Sequence, residues 1–144
     1  MKKKAIITLL IILVLLSTIY FLLCLKEKKN VENTLNGFYK DFINKEYANL
    51  YKYFDIKFRT DLNLNEKHGY IVQPLIDDRH WYGDIKGIQY KPILWLGKNK
   101  RYVFVEVEYG YESAMTETDK IRLEKLNNEW VITKYNSGSP VNLP

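Results

Sequence analysis

Hydrophobic and polar residues follow three regimes along the chain. From Ala5 to Leu25 no residue is charged, and Ile, Leu and Val dominate. As a helix rising about 1.5 Å per residue, this run spans roughly 30 Å, the hydrocarbon thickness of a bilayer. Lys2, Lys3 and Lys4 close it on one side; Lys26, Glu27, Lys28 and Lys29 close it on the other. Helical period follows at once: Val31, Leu35, Phe38, Phe42 and Ile43 recur at spacings of three and four. Gly37 weakens that helix by roughly 1 kcal/mol relative to alanine without ending it. Tyr47, Leu50, Tyr51 and Phe54 make a second, shorter stripe that closes at Asp55. Thr60 or Asp61 would cap a third helix, but Gly69 and Pro74 interrupt it, so an irregular or broken helix is expected up to Trp81.

Beyond Gly83 the period becomes two. Ile85, Ile88, Tyr90, Ile93, Trp95 and Leu96 predict one long strand or two, with Pro92 at an edge or bulge. Gly97-Lys98-Asn99-Lys100 is a turn. In the strand from Arg101 to Glu112, Val103, Val105, Val107, Tyr109 and Tyr111 share one face. Thr118 to Leu126 alternates Ile121 and Leu123 against Lys120, Arg122 and Glu124, and Asn127-Asn128 turns the chain into a last strand, Trp130 to Tyr135. Strict alternation there puts Trp130 and Ile132 on one face, Val131 and Tyr135 on the other. Helices first and consecutive antiparallel strands afterwards predict an α+β domain with helices on one face of the sheet.

The apolar run reads as an uncleaved anchor, with residues 1–29 as the anchor segment (span 5–25) and residues 30–144 as one domain. A cleaved signal peptide normally ends in small residues, whereas this run ends Tyr20-Phe21-Leu22-Leu23-Cys24. A lipid-modified Cys24 is the third alternative, although Leu23 replaces the small residue expected before it. A short basic tail normally stays in the cytoplasm, which places the domain outside a bacterial cytoplasmic membrane. Heavy use of Lys, Asn, Ile and Tyr fits a low-GC bacterial genome.

Charge sharpens this picture. Residues 1–30 hold six lysines and one glutamate, the whole of the net +5. The 22 basic and 17 acidic residues of the chain therefore leave 16 of each sign beyond residue 30. A nucleic-acid partner needs an excess of Lys and Arg to displace counterions from phosphate, and the domain has none. The only cysteine, Cys24, lies in the apolar run, which leaves the domain without a disulfide or a thiolate.

The order of elements resembles the nuclear transport factor 2-like superfamily, a cone of three helices against a curved antiparallel sheet. The likeness is carried by Phe38-Tyr39-x-Asp41-Phe42-Ile43-x-x-Glu46-Tyr47-x-x-Leu50-Tyr51-x-Tyr53-Phe54, by Val103-x-Val105-x-Val107-x-Tyr109, and by Ile121-x-Leu123-x-Lys125-x-Asn127-Asn128-x-Trp130-x-Ile132. It covers residues 31–136 and is similar to small extracytoplasmic members of Gram-positive bacteria. The resemblance implies a site between helices and sheet, where enzymes of the superfamily hold an Asp or His in an apolar cavity.

Candidates for such chemistry are His68, Asp77, Asp78, His80 and Asp84, and Asp77-Asp78-Arg79-His80 reads as a polar loop after the third helix. Consecutive residues cannot all face one metal, and no motif asks for a metal, cofactor or phosphate loop. Tyr70 and the aromatics Trp81, Tyr82, Tyr90, Trp95 and Tyr109, together with His80 and Asp84, are candidate pocket residues; ordinary packing is the plainer reading. Glu106 and Glu108 on one strand, Lys120 and Arg122 on the next, and Lys134 beyond make a candidate docking face or a set of cross-strand charge ladders. Two functions compete. One is a non-enzymatic interaction module: a scaffold or accessory subunit of an envelope assembly such as a secretion or conjugation machine, or an immunity-like protein, with an envelope protein or a second copy as partner. The other is a small-molecule-binding or isomerase/dehydratase-like pocket.

Overall fold

The computed structural model describes the chain except Met1 and residues 92–93, 97–98, 111–114, 138–141 and 144, and except the side chains of residues 2–5, 24, 94–96 and 142. The first helix, α1 (Lys2–Ile43), runs unbroken from the apolar segment into the domain. The large apolar side chains from Ile6 to Leu25 are 47–65% exposed, and no part of the domain packs on them. Farther along the same helix, Val31, Leu35, Phe38, Tyr39 and Phe42 are fully buried. The change from exposed to buried takes fewer than two turns.

α1 ends in a Schellman arrangement. Glu46 donates its N–H to the carbonyl of Asp41 (2.8 Å) and Lys45 to that of Phe42 (3.2 Å), with Lys45 in the left-handed region at φ 62°. The expected second helix is two 3₁₀ turns, Tyr47–Tyr53 and Asp55–Phe58, which bury Leu50, Phe54 and Ile56. A Cβ on Gly37 would lie 2.8 Å from the Tyr53 ring, so the missing side chain lets this segment close on α1.

The third helix corrects the sequence reading. α2 (Leu64–Tyr82) is continuous through Gly69 and Pro74. Asn63, rather than Thr60 or Asp61, caps it, in a capping box with Glu66. Ile71, Val72 and Leu75 are buried on its inner side, and their burial outweighs the roughly 3 kcal/mol that an interior proline costs.

Six strands form one antiparallel sheet: β1 (Ile85–Tyr90), β2 (Leu94–Leu96), β3 (Lys100–Tyr109), β4 (Met115–Leu126), β5 (Glu129–Asn136) and β6 (Asn142–Leu143). Their order is β1-β3-β4-β5-β6, and β2 continues the line of β1 along β3. The calls for Pro92, Ile93, Gly97, Lys98, Tyr111 and Glu112 lie outside the described residues. Asn127 and Asn128 both have positive φ, 50° and 66°, as a two-residue type I′ hairpin requires. In β5 the expected alternation fails at Thr133. Leu123 pairs with Ile132 while Arg122 pairs with Lys134, so Thr133 is an extra residue. The bulge reverses the parity of the strand, and Tyr135 joins Trp130 and Ile132 in the core instead of Val131 on the outer side.

Two glycine substitutions should separate propensity from packing. Gly69 is helical, exposed and has open space around its Cβ position, so Gly69→Ala should stabilise the chain by about 0.5–1 kcal/mol in detergent denaturation curves. Gly37→Ala gains the same propensity but must displace Tyr53, and should be the less stable of the two. Phe42→Ala, at a fully buried site, should cost about 3–5 kcal/mol.

Candidate functional site

Among the described residues, the interior of the cone is filled by side chains. Phe38, Phe42, Phe54, Tyr39, Tyr109 and Tyr135 are buried, and Phe38 makes edge contacts with Tyr39 (5.0 Å between centroids), Phe54 (5.7 Å) and Tyr135 (5.7 Å). Among these rings lie two fully buried carboxylates, Asp78 and Asp119. One oxygen of Asp119 accepts hydrogen bonds from the hydroxyls of Tyr39 (2.5 Å) and Tyr135 (2.9 Å); the other has no hydrogen-bond partner. Asp78 accepts from the Ser137 hydroxyl (2.8 Å) and, more weakly, from Tyr109 (3.4 Å).

Burial pushes the Asp119 carboxyl up to about 7; the two tyrosine hydroxyls oppose the rise, and nearby Asp78 and Glu117 add to it. Burial also raises Asp78, against the pull of Ser137 and Tyr109. The filled cone thus holds two acids in a setting that favours their protonated forms.

Neither acid was found in its true setting from the sequence. Asp78 falls at i+7 and i+3 from the buried Ile71 and Leu75, which puts it on the inner stripe of α2 rather than in a loop. Asp119 lies in phase with Ile121 and Leu123 on the inner face of β4. Read through to its first members, that alternation would have exposed a carboxylate pointing into the core.

The candidate pocket residues do not assemble. His80 is exposed, and Trp81 is 74% exposed on the outside of α2. Tyr70 is exposed likewise, and Asp77 accepts a bond from Gln73 (2.9 Å) at the surface. His68 is half-buried. Tyr82 stacks on Tyr109 at 5.2 Å, and Tyr90 donates its hydroxyl to Asn36 (2.7 Å). The side chain of Trp95 lies outside the described residues. Asp84 is held below the ordinary carboxylate range by Arg79 (2.6 Å) and then by Lys45 (3.1 Å). The same Arg79 donates to the Phe42 carbonyl (3.0 Å), tying the end of α2 to the end of α1.

The five docking-face residues do share the outer side of the sheet, but the ladders between them are not formed. Glu106 and Glu108 lie opposite Thr118 and Thr116, whereas Lys120 and Arg122 lie opposite Phe104 and Tyr102. Arg122 and Lys134 are cross-strand neighbours of like charge. Glu106 pairs instead with Lys91 (2.7 Å), and Arg122 with Glu124 (3.3 Å). The outer face is therefore basic toward one end of the strands and acidic toward the other. Among the described residues no group of three or more His, Cys, Asp or Glu is placed to hold a metal.

The chain is similar in structure to a solved protein from Campylobacter jejuni, a candidate nuclear transport factor 2-like transpeptidase. It superposes with a TM-score of 0.54 at 18% identity, over 72% of this chain and 97% of its own. The fold is nuclear transport factor 2-like. No protein-family model matches the chain, and no curated protein does. What this nuclear transport factor 2-like domain has in common with that structure is architecture.

The raised Asp119 carboxyl carries a pH prediction. The folded state binds the proton more tightly than the unfolded state, so the associated stability is fully present below about pH 4 and is lost as pH rises through about 7. Asp119→Asn keeps an acceptor for Tyr39 and Tyr135 and abolishes the titration. Denaturation of the full chain in detergent should show a decline of a few kcal/mol between pH 4 and 8 that the variant lacks. Equal slopes would mean that Asp119 is not the titrating group.

Proposed function

We propose that the chain is a single-pass membrane protein whose domain works as a non-enzymatic interaction module outside a bacterial cytoplasmic membrane. The observation that carries this reading is the single helix whose apolar half is unpacked and whose other half is core. A cleaved signal segment would not need to be continuous with the first core helix of the mature domain. The absence of a hinge holds the domain against the bilayer, as suits a scaffold or accessory subunit of an envelope assembly or an immunity-like protein. The basic patch of Lys120, Arg122 and Lys134 on the outer sheet face is the surface offered to an envelope partner, and a second copy is the alternative occupant.

A transpeptidase role, suggested by the name of the Campylobacter protein, would need a nucleophile beside a base. The one cysteine lies in the apolar run, and the Ser137 hydroxyl is buried and donates to Asp78. A second reading keeps one specific support: Asp119, with a carboxyl near neutrality between two tyrosine hydroxyls, has the makings of an acid–base group. Full burial under Tyr39 and Tyr135 argues against substrate access.

In cells, the full-length chain should sediment with membranes, and protease added outside intact spheroplasts should digest the domain. A soluble form beginning near residue 26 would sink the anchor. A photoreactive residue at Lys120 or Lys134 should give a discrete protein adduct, and His80→Ala, Asp84→Ala and Asp119→Asn should leave that adduct unchanged. Loss of biological activity in Asp119→Asn with the adduct intact would favour the pocket reading.

A further inference from the structure

The membrane-proximal end of the domain carries a surface that the interaction-module reading leaves unused. Its location rests on the proposal that α1 spans the bilayer. Two residues beyond Leu25, about 3 Å along the helix axis, Glu27 accepts hydrogen bonds from Lys125 (2.7 Å) and from the Trp130 indole (2.5 Å). The β4–β5 hairpin is thereby fixed at the level where the hydrocarbon ends. From Trp130 the contacts run sideways across the same end of the cone. Its neighbour Glu129 pairs with Lys57, and Lys67 donates to the Lys57 carbonyl (3.1 Å). The second 3₁₀ turn and the first turn of α2 thus lie beside the hairpin. The opposite end of the domain is marked by the Arg79, Asp84 and Lys45 cluster.

Two adjoining grooves, about 570 and 470 Å³, open on this end and share Lys52, Lys57 and Glu129. The second also takes in Lys67, Phe58 and Leu64. Lys57 and Lys67 therefore meet one glutamate on this end, in a domain whose charges cancel overall. Leu64, the first residue of α2, is 59% exposed at the same place. The pair of Lys57 with the exposed Glu129 is partly solvated and contributes little, so a phosphate can replace that carboxylate. Lys52 turns the other way, to the buried Asp41 (3.1 Å), which also accepts from Tyr53.

An exposed apolar side chain that shares a groove with Lys57 and Lys67, at the level of the headgroups, is the composition of an interfacial contact. We propose that this end docks on the anionic lipid surface from which α1 emerges, with Leu64 in the headgroup layer and Lys57 and Lys67 on lipid phosphates. Negative surface potential attracts such lysines only within about a Debye length, a condition the short reach from Leu25 meets. The domain then has two membrane attachments, and cannot swivel about α1.

The test uses the full chain carrying Cys24→Ser in nanodiscs, with a nitroxide placed by Leu64→Cys. Collision with lipid-dissolved oxygen is compared with collision with an aqueous nickel chelate. In phosphatidylglycerol discs the oxygen-to-nickel ratio should be severalfold higher than in pure phosphatidylcholine. Joint Lys57→Gln and Lys67→Gln should remove that difference, and a label at Gln89→Cys should stay aqueous throughout. An aqueous Leu64 label in both lipids, with a Leu13→Cys label immersed, overturns the docking and leaves the anchor standing. An aqueous Leu13 label overturns the anchor itself. Immersion at Leu64 that ignores both lipid charge and the lysine changes overturns the role of the phosphates. Burial of the label in native membranes but not in protein-free discs would assign the groove to an acidic protein segment instead.

Discussion

One helix joins an exposed apolar half to a half that is core, and the rest of the domain is arranged around that continuity. Through Leu25, α1 presents large apolar side chains on every side, a composition that water penalises and hydrocarbon accepts. From Val31 onward only one stripe is apolar, and the sheet, the 3₁₀ turns and α2 gather over it. No glycine–serine linker or proline lies between the two regimes. Glu27 closes the gap by joining the helix to Lys125 and Trp130, while Arg101 stacks on the Trp130 ring at 5.0 Å. A swivel between the two halves would break these contacts and withdraw Val31 from the core. The direction in which the apolar half leaves the domain is therefore built into the packing of the domain.

Aromatic packing explains why the cone holds acids without being an open pocket. Tyrosine fills space like phenylalanine but brings a hydroxyl that needs a partner when buried. Tyr39, Tyr109 and Tyr135 all direct theirs to Asp78 or Asp119. The carboxylates satisfy the tyrosines, and protonation spares them the cost of carrying a charge away from water. At the other end, Arg79 satisfies a carbonyl in the last turn of α1 and holds Asp84 outside the core. The interior chemistry reads as structural bookkeeping of polar groups, with the acidity of Asp119 a consequence of enclosure.

How far the sequence carried can be judged residue by residue. The stripe from Val31 to Phe42, the alternation of Val103 to Tyr109 and the Asn127-Asn128 hairpin were legible because each is a local signal that tertiary packing reinforced. Pro74 was misread because propensity is local, whereas the burial of Ile71, Val72 and Leu75 is not. The misplacement of Asp78 followed from that error. Tyr135 was assigned to the wrong face because a single inserted residue, Thr133, leaves no mark in composition yet reverses everything after it. β6 is two residues long and too short for any period to show. Within the candidate site, His80 and Trp81 drew notice through residue type, which carries no information about direction.

The charge pattern of the outer sheet face bears on what can occupy it. β3 runs from Lys100 and Arg101, beside Trp130 at the end where the apolar half of α1 leaves the domain, to Tyr109, beside Asp78 in α2. The basic patch of Lys120, Arg122 and Lys134 is nearer the first end, and Glu106 and Glu108 are nearer the second. Two copies anchored in one membrane share a twofold axis along its normal. Packed face to face about that axis, they would set lysines against lysines and glutamates against glutamates. Such like-charge contacts are among the stronger penalties at an interface. The same face is self-complementary only when one copy is inverted, which a common membrane forbids. On the proposed anchored reading, the face thus suits a different protein, acidic near the bilayer and basic farther out, better than a second copy of this chain.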